Sequence, residues 1–325
     1  MAKKFDFPDF NDVLRAQYDL TGLVKKTPLM TSSILTDTAS VKRLWFKCEN
    51  LQKTGSFKAR GATNAVCRLS EASPLSRVAT HSSGNHGAAL AFAAREKGIL
   101  AHIVVPKDAP NIKKAAILSY GAHVTECAPT LAAREAVLEE VITSTKASSI
   151  HPYDDSRVIA GQGTVAAEIL DEVPDADVLL VPVGGGGLLS GCAMTAKHIK
   201  PNLLVIGVEP KGADDAARSF KAGEIIPQES PNTIADGLLT SLGELNFPLI
   251  QKYVDDIVTV DDQTIFDAMY LIWTRMKQLV EPSGAVTYAG LLAMHKNFEG
   301  KKVVAVLSGG NVDPKFLMSL PQRAS

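Results

Sequence analysis

A lysine in a segment rich in small residues is the first residue whose type could do covalent chemistry. Lys58 lies in the run 53–62, which reads Lys-Thr-Gly-Ser-Phe-Lys-Ala-Arg-Gly-Ala. A lysine that is shielded from water can attack an aldehyde and form a Schiff base. A lysine on a polar loop is more often a solvated charge. Lys58 alone therefore leaves both interpretations open.

A turn of small polar residues follows a predicted strand and precedes an alanine-rich helix. It reads Thr-His-Ser-Ser-Gly-Asn-His-Gly over 80–87. Free backbone N–H groups at such a turn can bind a carboxylate or a phosphate. The alternative is an ordinary helix cap, because serine and asparagine are good N-cap residues. His86 has no partner histidine at helical spacing, which disfavours a metal-binding role.

Two glycine-rich loops also follow predicted strands. The first is the tetraglycine loop 184–187, which comes after an apolar run and opens a helix. Close approach of the backbone to a phosphate would explain four flexible glycines, and a tight packing turn is the alternative. The spacing matches neither a dinucleotide fingerprint nor an ATP P-loop. The second loop begins at Ser308 and reads Ser-Gly-Gly-Asn. Ligands bind at the carboxyl ends of parallel strands, so we expect these loops to meet at one edge.

An acidic segment follows another apolar run. Glu209 and Asp215 could supply oxygen ligands to magnesium or calcium, with a backbone carbonyl between them. The alternative is an acidic helix start, which the positive end of the helix dipole stabilises.

The elements that position these residues alternate along the chain. Short β-branched apolar runs alternate with alanine-rich helical stretches, which favours parallel sheets covered on both faces. Strands are predicted over 44–48, 77–80, 101–105, 123–127, 178–183, 203–208, 256–260 and 303–307. Helices are predicted over 85–97, 110–120, 131–145, 163–172, 188–199, 262–279 and 284–295.

Length and composition limit the classes of protein. A chain of 325 residues suggests two domains, and we place a small mobile domain at 76–150, inserted into a large domain formed by 1–75 and 151–325. Thirty-four basic and 35 acidic residues give a net charge of −1, which offers no argument for nucleic acid or membrane binding. The uncharged stretch 178–196 contains five glycines and a proline, so we interpret it as strand, loop and helix rather than a membrane span.

The cysteines and the N-terminus bear on the compartment. Four widely spaced cysteines include no C-x-x-C pair, which disfavours a zinc cluster and is typical of a reducing cytosol. The N-terminus leads into no apolar stretch, so we expect no signal peptide and a cytoplasmic protein.

Taken together, these segments resemble the fold-type II pyridoxal-phosphate enzymes, the tryptophan-synthase-β-like group. Within that group the chain is similar to the serine racemases and serine/threonine dehydratases. The motifs Lys-Thr-Gly-Ser-Phe-Lys, Ser-Ser-Gly-Asn-His-Gly, the tetraglycine loop and Ser-Gly-Gly-Asn-Val-Asp occur in the family's order over 26–313. The resemblance implies two open, mostly parallel sheets flanked by helices, in a large domain and an inserted small domain.

The resemblance also implies roles for individual residues. Lys58 would bind pyridoxal 5'-phosphate as a Schiff base and move a proton on one face of the substrate, while Ser83 would act on the opposite face. The implied cofactor-binding residues are Phe57, Lys58, Asn85, Gly184, Gly185, Gly186, Gly187, Leu188 and Ser308. The implied substrate-binding residues are Ser82, Ser83, Asn85, His86 and Arg134. The implied ligands of a divalent cation, Mg2+ with Mn2+ or Ca2+ as alternatives, are Glu209, Ala213 through its carbonyl, and Asp215.

The function that the resemblance implies is racemisation of serine, with β-elimination to pyruvate and ammonia. Ser83 favours a racemase, because threonine deaminases typically carry alanine there. A dedicated L-threo-3-hydroxyaspartate or L-serine/threonine dehydratase and an aspartate racemase are the alternatives. A non-catalytic phosphate- or nucleotide-binding module is a further reading of the glycine loops. The family implies a homodimer with a small amino-acid substrate. Ala88 and Tyr153 depart from the animal racemases and disfavour ATP as an effector.

Overall fold

Ten strands form two sheets in the part of the chain that the computed structural model describes, residues 6–82, 84–109 and 111–313. The strands are β1 (Leu29–Met30), β2 (Arg43–Cys48), β3 (Arg77–His81), β4 (Leu100–Pro106), β5 (His123–Cys127), β6 (Ser148–Ser149), β7 (Val178–Pro182), β8 (Leu204–Pro210), β9 (Asp256–Val260) and β10 (Lys302–Leu307).

Six strands form the larger sheet, in the order β1-β2-β10-β7-β8-β9. Strand β1 pairs antiparallel with β2, and the other neighbours are parallel. Every residue of β7 is buried, as expected for a central strand that is covered on both faces. Apolar cores lie on both sides of this sheet, one around Phe46 and Tyr288 and the other around Leu189 and Ile250.

The smaller sheet has four parallel strands in the order β5-β4-β3-β6. Its core packs around Leu90, Ile103 and Ile150. The predicted fold class, two mostly parallel sheets flanked by helices, is confirmed. The strands of this sheet all lie between residues 77 and 149, and the assignment of 76–150 as a separate mobile domain stays a prediction.

Twelve α-helices flank the sheets in the described residues. They are α1 (Phe10–Asp19), α2 (Ser33–Thr38), α3 (Lys58–Ala72), α4 (Asn85–Glu96), α5 (Asn111–Ser119), α6 (Leu131–Thr145), α7 (Ser156–Glu172), α8 (Gly187–Ile199), α9 (Asp215–Ala222), α10 (Asn246–Tyr253), α11 (Asp262–Leu271) and α12 (Pro282–Ala293). Side-chain caps determine where several of these helices begin. For example, the Thr130 hydroxyl accepts the backbone N–H of Ala133 at the start of α6.

One helix differs in form from its prediction. The predicted helix over 262–279 is α11 followed by a single π-helical turn, Ile272–Met276, which ends at Lys277 with a φ of 59°. None of the helices within the described residues is long and apolar enough to cross a membrane. The uncharged stretch 178–196 is divided between β7, a glycine loop and α8, as predicted.

Candidate functional site

Lys58 is the first residue of α3, and its amine lies against the protein interior. The Nζ atom donates a hydrogen bond of 2.8 Å to the carbonyl of Pro152. Burial lowers the pKa of this amine to about 8, although part of the side chain is open to solvent. The rings of Phe57 and Tyr153 lie 5.1 and 5.9 Å from the amine nitrogen. These surroundings favour a nucleophilic amine over a solvated charge for this lysine.

Two loops hold the start of α3 in place by pairing with each other. Phe57 donates its backbone N–H to the carbonyl of Ser308, and Gly310 donates its own to the carbonyl of Gly55. Thr54 and Gly55 both have positive φ, 59° and 76°, so the chain turns sharply before Lys58. The lysine loop and the loop after β10 therefore form one unit.

The tetraglycine loop joins β7 to α8. A Cβ atom at Gly185 would lie 2.4–2.5 Å from the ring of Tyr153, and one at Gly184 would lie 3.0 Å from the Cα of Leu238. Gly186 has a φ of 95°. Packing alone thus requires glycine at these positions, as the tight-turn alternative predicted. The same backbone leads into the N-terminus of the 13-residue helix α8, at Gly187 and the buried Leu188, where free N–H groups suit a phosphate.

The turn after β3 begins with Ser82, whose hydroxyl accepts the backbone N–H of Gly84 at 3.3 Å. Ser83 lies outside the described residues. Gly84 is the N-cap residue of α4 and has no side chain with which to cap the helix. The cap alternative is thus not supported at that position, and the start of α4 can bind an anion.

Asn85 is held at both ends of its amide. Its Nδ2 donates to Glu281 Oε1 at 2.8 Å, and its Oδ1 accepts from Asn311 Nδ2 at 2.8 Å. The Glu281 carboxyl is buried, and this burial together with the nearby Asp236 raises its pKa to about 7. No sequence signal pointed to this network, because its members lie about 200 residues apart.

Three histidines surround the space beside Lys58. His86 is buried, and burial together with Lys58 holds its pKa well below the usual value, so the ring is neutral. Burial also lowers the pKa of His151 to about 4, and its Nδ1 accepts the backbone N–H of Asp154 at 2.8 Å. His81, at the end of β3, has its pKa lowered mainly by burial.

Arg134 approaches the same space from α6. It is half-buried, and its Nε lies 3.4 Å from the carbonyl of Thr130 in its own helix. The arginine is close enough to His81 to contribute to the lowering of that histidine's pKa. A cation therefore lies near His81, the residue before Ser82.

Ser308 directly follows β10 and lies at the carboxyl end of that strand in the larger sheet. The residue is buried, and its hydroxyl donates to the carbonyl of Ser283 at 3.3 Å. Its carbonyl is hydrogen-bonded to Phe57, next to Lys58; Tyr153 lies near both the Lys58 amine and Gly185; and Asn311, in the same loop as Ser308, is hydrogen-bonded to Asn85. These connected segments supply an amine, helix N–H groups, an amide and a hydroxyl. This set suits a molecule that carries an aldehyde, a phosphate and a ring nitrogen.

The acidic segment from the end of β8 to the start of α9 contains two fully buried carboxyl groups, those of Glu209 and Asp215. Glu209 accepts the backbone N–H groups of Ala216 and Ala217 at 3.0 and 2.9 Å, as the helix-start alternative expects of an acidic group. Asp215 accepts the N–H of Leu242 through one oxygen, and its Oδ1 has no hydrogen-bond partner in the described part of the chain. Burial raises the pKa of Glu209 to about 9 and that of Asp215 to about 6. Ala213, which lies between these two residues in the sequence, is also buried.

Among residues 6–82, 84–109 and 111–313, no group of three or more His, Cys, Asp and Glu side chains could hold a metal ion. The segment 209–215 contains three acidic side chains, of which Glu209 and Asp215 are buried and Asp214 pairs with Arg218 at the surface.

Sequence reasoning missed a buried ionic cluster one turn after Lys58. Arg60 is fully buried and donates to Glu49 and Glu168 at 2.6–2.8 Å, and Lys47 donates to Glu168 at 2.6 Å. Two positive and two negative side chains balance in charge. Because every donor of Arg60 is directed at a partner, the cluster fixes the first turn of α3.

Comparisons with known proteins agree with this geometry. The family model described as "Pyridoxal-phosphate dependent enzyme" matches residues 20–309. The chain is 47% identical to a serine racemase of Dictyostelium discoideum, over 93% of this chain and 94% of that protein. It is 44% identical to a beta-hydroxyaspartate dehydratase of Paracoccus denitrificans, over 94% and 97%. The structure of maize serine racemase superposes with a TM-score of 0.93 at 43% identity, covering 96% of each chain.

Proposed function

Because the chain belongs to the family of pyridoxal-phosphate-dependent enzymes, we propose that it is a serine racemase that also eliminates water from serine. It would interconvert L- and D-serine and release some pyruvate and ammonia. The observation that carries the proposal is the buried amine of Lys58, with its pKa near 8, beside the glycine loop and Ser308. A non-catalytic phosphate-binding module would have no use for such an amine.

The described residues fit the cofactor. Lys58 would bind its aldehyde, the N–H groups of 184–188 its phosphate, and the Ser308 hydroxyl its ring nitrogen. Phe57 would contact the ring, and Asn85 the ring hydroxyl. When bound, pyridoxal phosphate supplies an electron sink that makes the Cα–H of an amino acid acidic. A hydroxyl at the ring nitrogen is a weaker charge partner than a carboxylate and leaves that nitrogen largely unprotonated.

Proton transfer at Cα needs two groups on opposite faces of the substrate. Lys58 Nζ would take the proton on its own face, because a neutral amine with a pKa near 8 is an effective base at neutral pH. The Ser83 hydroxyl would return a proton on the other face. This role is proposed from the position of Ser83 in the motif Ser-Ser-Gly-Asn-His-Gly. Loss of the β-hydroxyl would compete with that return. A difference of about 1.4 kcal/mol between the two barriers changes the product ratio tenfold.

The substrate carboxylate would lie at the N-terminus of α4. Ser82, Asn85 and His86 lie at this end of the helix, where backbone N–H groups and the helix dipole favour an anion, and Ser83 is assigned to the same group from its place in the sequence. A neutral His86 can donate a hydrogen bond there without adding charge. Arg134 would approach from α6 and help to exclude water when the smaller sheet closes over the substrate.

We also propose a divalent cation at Glu209, the carbonyl of Ala213, and Asp215. Burial, together with the nearby Asp215, raises the pKa of Glu209, and burial raises that of Asp215; a bound cation would favour the charged form of both carboxyl groups. The unpartnered Oδ1 of Asp215 is available as a ligand. Magnesium is the first candidate, with manganese and calcium as alternatives.

A dedicated dehydratase is the second candidate function. The 44% identity to a beta-hydroxyaspartate dehydratase favours L-threo-3-hydroxyaspartate as the alternative substrate. Serine and threonine dehydratases and aspartate racemases share the same carboxylate requirements. The proposal further includes a cytoplasmic homodimer without nucleic-acid or membrane partners and without ATP activation; the four buried free cysteines fit a reducing compartment.

The test is an assay of the cofactor-loaded protein with L-serine and magnesium. D-serine is measured by chiral chromatography and pyruvate in the same sample, with Lys58→Ala as the matched control. We expect both products from the wild type and neither from the variant. Pyruvate alone would make the protein a dehydratase. With neither product, L-threo-3-hydroxyaspartate and aspartate are the next substrates. Borohydride reduction of the cofactor-loaded protein should leave a pyridoxyl label on Lys58. Absence of that label would rule out the proposal that the protein is a pyridoxal-phosphate enzyme.

A further inference from the structure

We infer that Asn311 is a positioning residue that fixes the orientation of the Asn85 amide and so presents its Nδ2 to the cofactor ring. The inference rests on the proposed function, because it concerns how the proposed cofactor pocket is kept in order. Asn311 lies at the end of the loop after β10 and contacts both the lysine loop and the turn after β3.

An asparagine amide can face either way, and its neighbours decide which end points where. The Nδ2 atom of Asn311 donates to Asn85 Oδ1 at 2.8 Å, which a flipped amide could not accept. On the other end, Glu281 Oε1 accepts from Asn85 Nδ2 at 2.8 Å. The two contacts agree on one orientation. One hydrogen of Asn85 Nδ2 goes to Glu281, and the second is left for an oxygen in the pocket.

The same Asn311 amide also holds the loop that precedes Lys58. Its Nδ2 donates to the carbonyl of Thr54 at 2.8 Å. A Cβ atom at Gly55 would lie 2.3 Å from Asn311 Oδ1, so glycine is required there for the asparagine to fit. One side chain thus connects the left-handed turn before Lys58 with the amide of Asn85. Both proposed cofactor contacts depend on its placement.

The geometry points to a defined consequence when the Asn311 donor is removed. Without it, the Asn85 amide loses one of the two contacts that oppose the flipped orientation, in which its oxygen would face the oxygen of the cofactor ring, and only Glu281 still favours the original one. A neutral hydrogen bond of this kind changes an equilibrium by roughly three- to tenfold. We therefore expect weaker cofactor binding and an altered absorption spectrum, because that ring hydroxyl belongs to the chromophore.

The experiment compares Asn311→Asp and Asn311→Leu with the wild type. Both replacements are close in size to asparagine and lack the donor, and the second adds no charge. Cofactor affinity is measured by titrating the apoprotein with pyridoxal phosphate, and the ratio of the absorption bands is followed against pH. We expect both variants to bind the cofactor about three- to tenfold more weakly and to shift that ratio in the same direction.

The matched control is Asn50→Asp, in the loop that packs against Gly310. Asn50 donates to the carbonyl of Leu279 and lies near the same loop without contacting Asn85. An unchanged spectrum in both Asn311 variants would overturn the inference, as would the same spectral change in the Asn50→Asp control. If the wild type itself binds no pyridoxal phosphate, the proposed function fails instead, and the two failures are therefore distinguishable.

Discussion

The amine of Lys58 and the carbonyl of Pro152 are joined by a hydrogen bond of 2.8 Å across 94 residues of sequence. The carbonyl is a neutral partner and brings no full negative charge that would hold the proton on the amine. Burial therefore acts on this amine without opposition, and it lowers the pKa to about 8.

This pKa predicts how the apoprotein reacts with pyridoxal phosphate. The neutral amine is the nucleophile, so the reaction rate should rise as the pH increases through about 8. An ordinary lysine would show the same rise near about 10.4. Stopped-flow absorbance of the cofactor over a range of pH measures the midpoint, and Lys58→Arg should remove the absorbance change. A midpoint close to that of ordinary lysine would contradict the burial argument.

Replacement of Ser83 by alanine should separate the two reactions. The variant loses the proposed proton donor on the second face, so D-serine formation should fall at least about a hundredfold, while pyruvate formation stays measurable. Both products are quantified from L-serine in one sample. Ser82→Ala is the matched control, because it changes the neighbouring hydroxyl and should lower both activities together. Equal loss of both activities in Ser83→Ala would refute the assignment of two faces.

The proposed cation can be tested at two adjacent aspartates. Asp215→Asn removes a buried ligand charge and should weaken Mg2+ or Mn2+ binding by roughly tenfold or more, measured by calorimetry. Asp214→Asn should bind the ion like the wild type, since Asp214 pairs with Arg218 at the surface. Full activity after exhaustive chelation, with no metal left bound, would contradict the cation site and favour the interpretation of this segment as an acidic helix start.

The buried carboxyl of Glu281 predicts a pH dependence of stability. Its pKa is raised to about 7 in the folded protein, so folding favours the protonated form. The stabilisation is complete below the ordinary pKa of about 4.3 and is lost as the pH rises to about 7. Relative to Glu281→Gln, the wild type should lose up to about 3 kcal/mol of unfolding free energy between pH 4.5 and 8.

Urea unfolding of the apoprotein at a series of pH values measures this difference. Glu299→Gln, at an exposed position, serves as the control and should follow the wild type throughout. A constant difference between Glu281→Gln and the wild type would show that the carboxyl keeps one charge state across this range.

Eight of the ten strands in the described residues were predicted to within two residues at each end, because buried parallel strands consist of continuous β-branched runs. The two-residue strands β1 and β6 were not predicted. Helix α3 was missed, although it carries Lys58 at its first position. Its buried face consists of alanine, glycine, threonine and asparagine around Arg60, so no apolar stripe marks it. Packing against other elements, rather than a hydrophobic periodicity in its own sequence, stabilises this helix.

The parts of the candidate site that consist of short consecutive motifs, such as the glycine loop and the lysine segment, could be proposed from the sequence because their residue types indicate a chemical role. The contacts that hold these motifs together were not predictable. Asn85 meets Glu281 and Asn311, and Arg60 meets Glu168, across 108 to 226 residues of sequence. Such pairs leave no local pattern, because each partner is an ordinary polar residue in its own segment.

The contact between Gly185 and Tyr153 has a consequence for laboratory evolution of this enzyme. Any side chain at 185 would run into the aromatic ring at 153, while a smaller residue at 153 would leave room for one. Substitutions at the two positions are therefore ordered: a change at 153 must come first, and only then does 185 become mutable. Libraries that randomise the glycine loop alone should therefore yield few folded variants at 185, whereas libraries that vary 153 and 185 together can yield them.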